Sequence, residues 1–151
     1  DQLSTQESKL KDLEKELSTM RKVKEKLEKE IQTANTTISE ENYKISSVKK
    51  ELAVTESSLD TKSTELSTME EGEAKKAVQS EVKDMQKQKK EQLKAISNSE
   101  NKIMKSKTLI QDNNNEITKN LKAQDDLNEK ISIQETEVRK YADKLKTIES
   151  Y

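Results

Sequence analysis

The apolar residues of this chain recur in a heptad pattern, and that spacing restricts the possible folds more than any other feature. With Leu3 taken as position a, apolar side chains fill 15 of the 20 a and d positions from Leu3 to Met69. Random placement at the overall hydrophobic content would fill only about six of them. Helices that pack along an a/d stripe form a coiled coil. The first half of the sequence therefore predicts a long coiled-coil helix.

A second heptad frame begins after residue 74 and is shifted by two residues relative to the first. Its 22 a and d positions run from Lys75 to Ile148, and 13 of them are apolar. A continuous coiled coil absorbs insertions of three or four residues by a local change of winding. A shift of two would instead turn the apolar stripe by about 200° around the helix. A reversal of chain direction accommodates the shift, because the second helix then presents its own stripe to the first.

The single glycine, Gly72, lies in the stretch STMEEGEAKKAV where the two frames meet. In an antiparallel pair each a position faces a d position, and the facing positions of the two frames mirror each other about residue 72. Glycine reaches positive φ without strain, as a helix C-terminus or a tight turn requires. We therefore predict an all-α, extended coiled coil that folds as an antiparallel helical hairpin. Residues 1–69 form its first helix, residues 70–74 the turn and residues 75–151 its second helix.

The alternative is a continuous parallel coiled-coil rod with a defect near Gly72. The charged residues at its e and g positions would form as many attractive as repulsive pairs between the two copies. These pairs therefore do not decide between the rod and the hairpin. A parallel homodimer would, however, stack each charged core residue against its own copy, which is unfavourable. These residues are Lys24, Glu41, Lys62, Lys75 and Lys89.

The hairpin prediction assigns large apolar a and d residues of both frames to the core. In the first helix they are Leu10, Leu13, Leu17, Leu27, Ile31, Ile38, Ile45, Leu52, Leu59 and Leu66, and in the second Val82, Ile96, Ile103, Ile110, Ile117, Leu127, Ile131, Val138 and Leu145. The d residues Asn113 and Asn120 are polar, and a buried asparagine can select register or oligomer state. Leu93, Leu109 and Leu121 flank the second stripe and suggest that another hairpin packs against it.

Charge and composition exclude several other classes of protein. Charged residues make up 39% of the chain and hydrophobic residues 28%, too little apolar material for a compact globular core. Neither sign forms a long run, so we predict no binding of nucleic acid or membrane. No apolar run is long enough to span a bilayer. The chain begins with Asp and lacks a signal-peptide pattern, which suggests a processed chain or part of a longer one.

The residue types present predict no enzyme, no cofactor, no metal site and no small-molecule substrate. Cysteine and histidine are absent, so the usual nucleophiles, bases and soft metal ligands are missing. No glycine-rich loop could hold a phosphate. We expect the pairs Glu40/Glu41 and Glu70/Glu71 to be solvated helix surface. With Glu73 beside them, the glutamates at the turn favour solubility over a Ca²⁺ site.

Part of the first helix resembles the rod of muscle-type myosin tails. The resemblance rests on KVKEKLEKEIQTANTTISEENYKISSVKKEL, residues 22–52, followed by DTKSTELSTMEEGEA, residues 60–74. A short helical chain without further domains also resembles, in style, the matrix proteins of ciliate trichocysts. Both resemblances imply a structural role.

The function predicted from these features is that of a structural coiled-coil subunit that self-assembles into a filament, bundle or lattice. Its partners would be copies of itself or other coiled-coil chains. The alternative is a spacer, tether or interaction segment of a larger protein.

Overall fold

The computed structural model describes residues 2–150, which form two α-helices joined by a short turn. Helix α1 spans Gln2–Ser67 and helix α2 spans Glu73–Glu149. The described residues are 96% helical, contain no strand, and place the two helices against each other as a hairpin. The predicted all-α hairpin is therefore confirmed in preference to a continuous rod. Asp1 and Tyr151, the outermost residues of the two predicted helices, lie outside the described residues.

Both helices are long and uninterrupted because the sequence lacks helix-breaking residues outside the turn. The chain has no proline, and its single glycine falls in the turn, so neither helix contains a strong breaker. Lysine, glutamate, glutamine and leucine lose little rotamer freedom in a helix, which favours helix formation throughout. Helices of this composition still gain most of their stability from packing of the apolar stripe.

Helix α1 ends in a tightened turn at Ser67. The backbone N–H groups of Thr68 and Met69 donate to the carbonyls three residues earlier, at 3.2 Å each. The hydroxyl groups of Ser67 and Thr68 donate to the carbonyls of Thr64 and Glu65, at 2.7 and 2.9 Å. Short polar side chains thus add hydrogen bonds to carbonyls of the last turn, and the helix ends where they cluster.

Gly72 stands at the start of α2 and not at the C-terminus of α1. Its carbonyl accepts the first helical hydrogen bond of α2, from the N–H of Lys76 at 3.1 Å. Its φ of +157° is positive, and a side chain rarely tolerates such a value. A Cβ atom placed on Gly72 would meet no other atom within 4 Å. The glycine is therefore favoured by the backbone conformation and not by any lack of space.

The chain divides into two compact units, and both helices contribute to each. Unit 1 comprises Asp1–Gln32 and Ile110–Tyr151, and unit 2 comprises Thr33–Leu109 with the turn. Neither unit encloses a thick core, because no large side chain among residues 2–150 is fully buried. Two paired helices leave each inward-facing side chain open at its flanks, so the core is a narrow seam.

Candidate functional site: the helix–helix seam

The seam between the helices is the candidate site, and most residues assigned to the core lie in it. Those buried are Leu17, Val82, Ile96, Ile103, Leu127 and Ile131. Those half-buried are Leu10, Leu13, Leu27, Ile31, Ile38, Ile45, Leu52, Leu59, Leu66, Ile110, Ile117 and Val138. The heptad frames thus run through residues that are shielded from solvent in both units.

Leu145 is the exception, since it is 40% exposed. It lines a shallow cavity together with Gln2 and Leu3 of α1, which border it without covering it. Ile148, one turn further along α2, lines the same cavity and is 70% exposed. Sequence periodicity alone places Leu145 on the stripe but does not show how completely α1 covers it.

Unit 1 contains the apolar cluster of the seam. Leu17, Leu127 and Ile131 form it, with the partly buried Leu10, Leu13 and Met20 packed against them. Leu17 and Leu127 are equally distant from residue 72 in sequence, as are Leu13 and Ile131. The cluster therefore brings together the residues that an antiparallel register centred on Gly72 places opposite each other.

Three side-chain amides of α2 in unit 1 bond across the seam to α1. The Nδ2 of Asn113 donates to the carbonyl of Leu27 at 3.2 Å and to Glu30 Oε2 at 2.9 Å. Asn120 Nδ2 donates to the carbonyl of Met20 at 3.0 Å.

The third amide, Gln134 Nε2, donates to the backbone carbonyl of Gln6 at 2.9 Å and to its Oε1 at 2.7 Å. These three amides all occupy d positions of α2. Each uses the second lone pair of a helical carbonyl, and a shift of register would remove these bonds.

Unit 2 carries a buried carboxylate, Glu41, which is only 4% exposed. Its Oε1 lies 3.3 Å from Lys44 Nζ on the same helix and 3.7 Å from Lys102 Nζ on α2. Polar contact with the Ser99 hydroxyl is the largest influence on its pKa and lowers it, burial raises it, and the two lysines lower it. The net pKa lies below its ordinary value of 4.5, so Glu41 stays charged in the seam at neutral pH.

The burial of Glu41 corrects the expectation that the Glu40/Glu41 pair is solvated surface. Glu40 is exposed, but Glu41 occupies a d position and faces α2. Its d position in the heptad frame predicted burial, whereas its acidic residue type suggested exposure. Its second oxygen, Oε2, is buried with no protein hydrogen-bond partner, which is costly for a charged group.

Further polar residues interrupt the seam of unit 2. Thr55 is 6% exposed and donates to the carbonyl of Glu51 at 3.1 Å, within its own helix. Gln92 is 7% exposed, and its Oε1 has no hydrogen-bond partner. Unit 2 thus buries polar atoms that remain unsatisfied, whereas the amides of unit 1 find partners.

Lysines at the edge of this seam pair across it. Lys62 Nζ lies 3.2 Å from Glu81 on α2 and 3.6 Å from Glu65 on its own helix. The contact with Glu81, followed by the charge of Glu65, raises the pKa of Lys62 above its ordinary value. Lys89 Nζ lies 4.0 Å from Glu56. These contacts add ion pairs between the helices in the part of the seam where Val78 and Val82 are buried.

The turn and the helix surfaces show no further site chemistry in the described part of the chain. Glu71 pairs with Lys75 at 2.9 Å. Across residues 2–150, no three acidic, histidine or cysteine side chains lie close enough together to hold a metal ion. Within the same residues, neither helix has a stretch long and apolar enough to cross a membrane.

The apolar residues that flank the second stripe lie outside the seam. Leu93, Leu109 and Leu121 are 49%, 40% and 43% exposed. Leu93 and Leu121 occupy e positions of the second frame and Leu109 a g position, so they fall on opposite sides of the stripe. Single exposed apolar residues of this kind are common on protein surfaces.

Comparison with known proteins gives no relative from which a function could be transferred. No protein family matches the chain, and neither does any curated protein or solved structure.

Proposed function

We propose that the chain is a structural subunit that assembles with copies of itself or with other coiled-coil chains. The observation that carries this proposal is the surface that the fold leaves open. The accessible area is 11407 Å², whereas a compact monomer of 17.3 kDa would expose about 7,800 Å². A long two-helix pair has much more surface available for lateral contacts than a globular domain of equal mass.

The thin seam supports the same proposal. With no fully buried large side chain in the described residues, the hairpin gains less from internal packing than a compact domain does. Lateral association would bury more of the helix surfaces and stabilise the folded hairpin by mass action. The resemblances to myosin-type rods and to trichocyst matrix proteins agree with such a role, which needs no catalytic group, cofactor or metal.

Sedimentation equilibrium of the purified chain tests the proposal directly. We expect the apparent mass to exceed 17.3 kDa and to rise with concentration, and electron microscopy of concentrated samples to show ordered bundles or lattices. Seam variants such as Leu17→Ala, which leave the surface unchanged, should assemble normally wherever they remain folded. A mass that stays at that of one chain up to millimolar concentration would contradict the proposal.

The second candidate is an arm or spacer within a larger protein, and the positions of the helix ends favour it. One shallow cavity in unit 1 is lined by Gln2, Leu3, Tyr141, Lys144, Leu145 and Ile148. The first turn of α1 therefore adjoins the last turns of α2. Adjacent ends allow a module to be inserted into another chain and to project from it. A strictly monomeric hairpin would favour this candidate.

A further inference from the structure

Helix α2 carries a stripe of lysines in unit 2, which we call the lysine stripe and which consists of Lys76, Lys83, Lys87, Lys90 and Lys94. All five side chains are exposed. At 100° per residue they lie within about 60° of the helix circumference, and at 1.5 Å per residue they span about 27 Å. They are three to seven residues apart, so no run of basic residues in the sequence reveals them.

No lysine of the stripe forms an ion pair within residues 2–150. The ion pairs of residues 2–150 involve other lysines of this region, namely Lys62, Lys75, Lys89 and Lys102. Two nearby glutamates, Glu71 and Glu81, are engaged by Lys75 and Lys62. The remaining nearby acids, Glu73, Asp84 and Glu91, lie along one border of the stripe. The stripe therefore presents a line of positive charge to solvent.

A matching line of carboxylates lies on α1 in unit 1, and we call it the glutamate face: Glu7, Glu14 and Glu25. All three are exposed and fall on one side of the helix. None of them forms an ion pair within the described residues. Lys11, Arg21 and Lys29 lie on the same side, so the three carboxylates alternate with three cations along the face.

The lysine stripe and the glutamate face have matching residue spacings whether the two helices run parallel or antiparallel. The glutamates are separated by seven and then eleven residues. Lys76, Lys83 and Lys94 have the same separations, and so do Lys94, Lys87 and Lys76 in the reverse order. Two helices laid side by side, parallel or antiparallel, can therefore bring three lysines opposite three carboxylates at once. In the same registers Lys90 lies opposite Arg21 or Lys11, so three attractive contacts accompany one repulsive contact.

From this match we infer that the lysine stripe of one copy binds the glutamate face of a second copy, which would be the lateral contact of the assembly. The inference rests on the proposed function. A contact between two different patches is heterologous, so it can be repeated from copy to copy.

The chemistry of the stripe favours a helical acidic partner over other polyanions. It contains lysine alone, without the arginine forks or aromatic rings by which proteins hold nucleic acids. It has no apolar side chain among its members that could enter a lipid interface. Its regular spacing along one helix instead fits carboxylates that repeat on another helix.

A charge-swap experiment tests the contact by sedimentation velocity. The variant Lys76→Glu/Lys94→Glu reverses the charge of the two lysines that face glutamates in both the parallel and the antiparallel arrangement. Glu7→Lys/Glu25→Lys reverses the charge of the two glutamates that face them. We expect each variant alone to associate at least tenfold more weakly than the native chain. An equimolar mixture should regain native association, because each reversed patch then meets its complement on the other variant.

The matched control is Lys50→Glu/Lys122→Glu, which changes the charge equally at exposed lysines outside the stripe and should keep at least half the native affinity. Circular dichroism of all variants should show native helix content, since every altered residue is exposed. We also expect association to weaken as salt rises from about 0.05 to 1 M, because the Debye length falls to about 3 Å.

Several results would overturn this inference. If the native chain assembles and the reversed variants assemble equally well, the stripe is not the contact while the proposed function stands. If the native chain does not associate at all, both fail. Stripe-dependent binding to duplex DNA of about 20 base pairs, or to phosphatidylcholine vesicles with about 30% phosphatidylserine, without stripe-dependent self-association, would assign the stripe to a different partner.

Discussion

Single residues in the seam show how position in the frame outweighs residue type. Glu41 is buried because the d position of α1 faces α2, although glutamate is rarely buried without partners. Glu40, next to it in sequence, remains exposed. The cost of the buried charge is offset by Lys44 and Lys102, which lie within 4 Å, and by the Ser99 hydroxyl.

The lowered pKa of Glu41 predicts a pH dependence of stability. A carboxyl group whose pKa is lower in the folded state than in the unfolded state stabilises the fold above the unfolded value, and this contribution is lost as pH falls through the folded value. We expect native stability to fall more steeply below pH 4.5 than that of Glu41→Gln. Urea denaturation from pH 7 down to 3 measures the difference. Glu40→Gln is the matched control and should follow the native curve.

Gly72 gives a second prediction, which concerns the backbone alone. Gly72→Ala should lower the free energy of unfolding by about 1 kcal/mol, because alanine disfavours positive φ. No steric clash adds to this, as the space around the residue is open. Glu70→Ala, an exposed change in the same turn, should cost less than about 0.5 kcal/mol. Equal losses in the two variants by urea denaturation would mean that the conformation of Gly72 is unimportant.

At the level of elements, much of the architecture follows from spacing. The frame shift and Gly72 predict the hairpin and its direction, because an offset of two residues cannot be absorbed by a continuous coil. Spacing could not predict whether Gly72 ends α1 or begins α2, since glycine is found both at helix C-termini and before helix starts. The exposure of Leu145 was not predicted either, because periodicity assigns a residue to a stripe and says nothing about how completely the partner helix covers it.

The pairing of the two helices can be tested at Leu17 and Leu127. These residues are 6% and 4% exposed and belong to one cluster. Either one changed to alanine should cost about 2–3 kcal/mol, as for buried leucine in a core that is open at its flanks. The double variant should cost less than the sum of the two, since contacting residues couple. Val54→Ala, at a residue 67% exposed, should cost under about 0.5 kcal/mol. Strictly additive losses would place the two leucines apart.

For the whole molecule, the two units differ in how well their seams are satisfied. Unit 1 combines an apolar cluster with amides bonded to backbone carbonyls. Unit 2 buries Glu41 Oε2 and Gln92 Oε1 without partners. Unsatisfied buried polar atoms cost free energy, so the seam of unit 2 should open more readily than the centre of the seam in unit 1.

Hydrogen exchange measures this difference in local stability. We expect amide hydrogens around Glu41 and Gln92 to exchange about tenfold or more faster than those around Leu17 and Leu127. Replacement of both unsatisfied side chains by leucine should slow exchange in unit 2, because apolar groups need no hydrogen-bond partner. Exchange in unit 1 should not change. Uniform protection along both helices would contradict the distinction.

The hairpin also predicts a short distance between positions far apart in sequence. Ser8 and Thr136 are exposed, belong to unit 1 and mirror each other about residue 72. Packed helices lie 8–10 Å apart, so spin labels on the outer faces at these positions should be within about 25 Å. A continuous helix would separate them by roughly 190 Å at 1.5 Å per residue. Dilution of the doubly labelled chain with unlabelled chain removes distances between copies, and singly labelled chains provide the background. A short distance that persists on dilution can arise only within one chain, whereas one that vanishes would mean that the helices pair between copies.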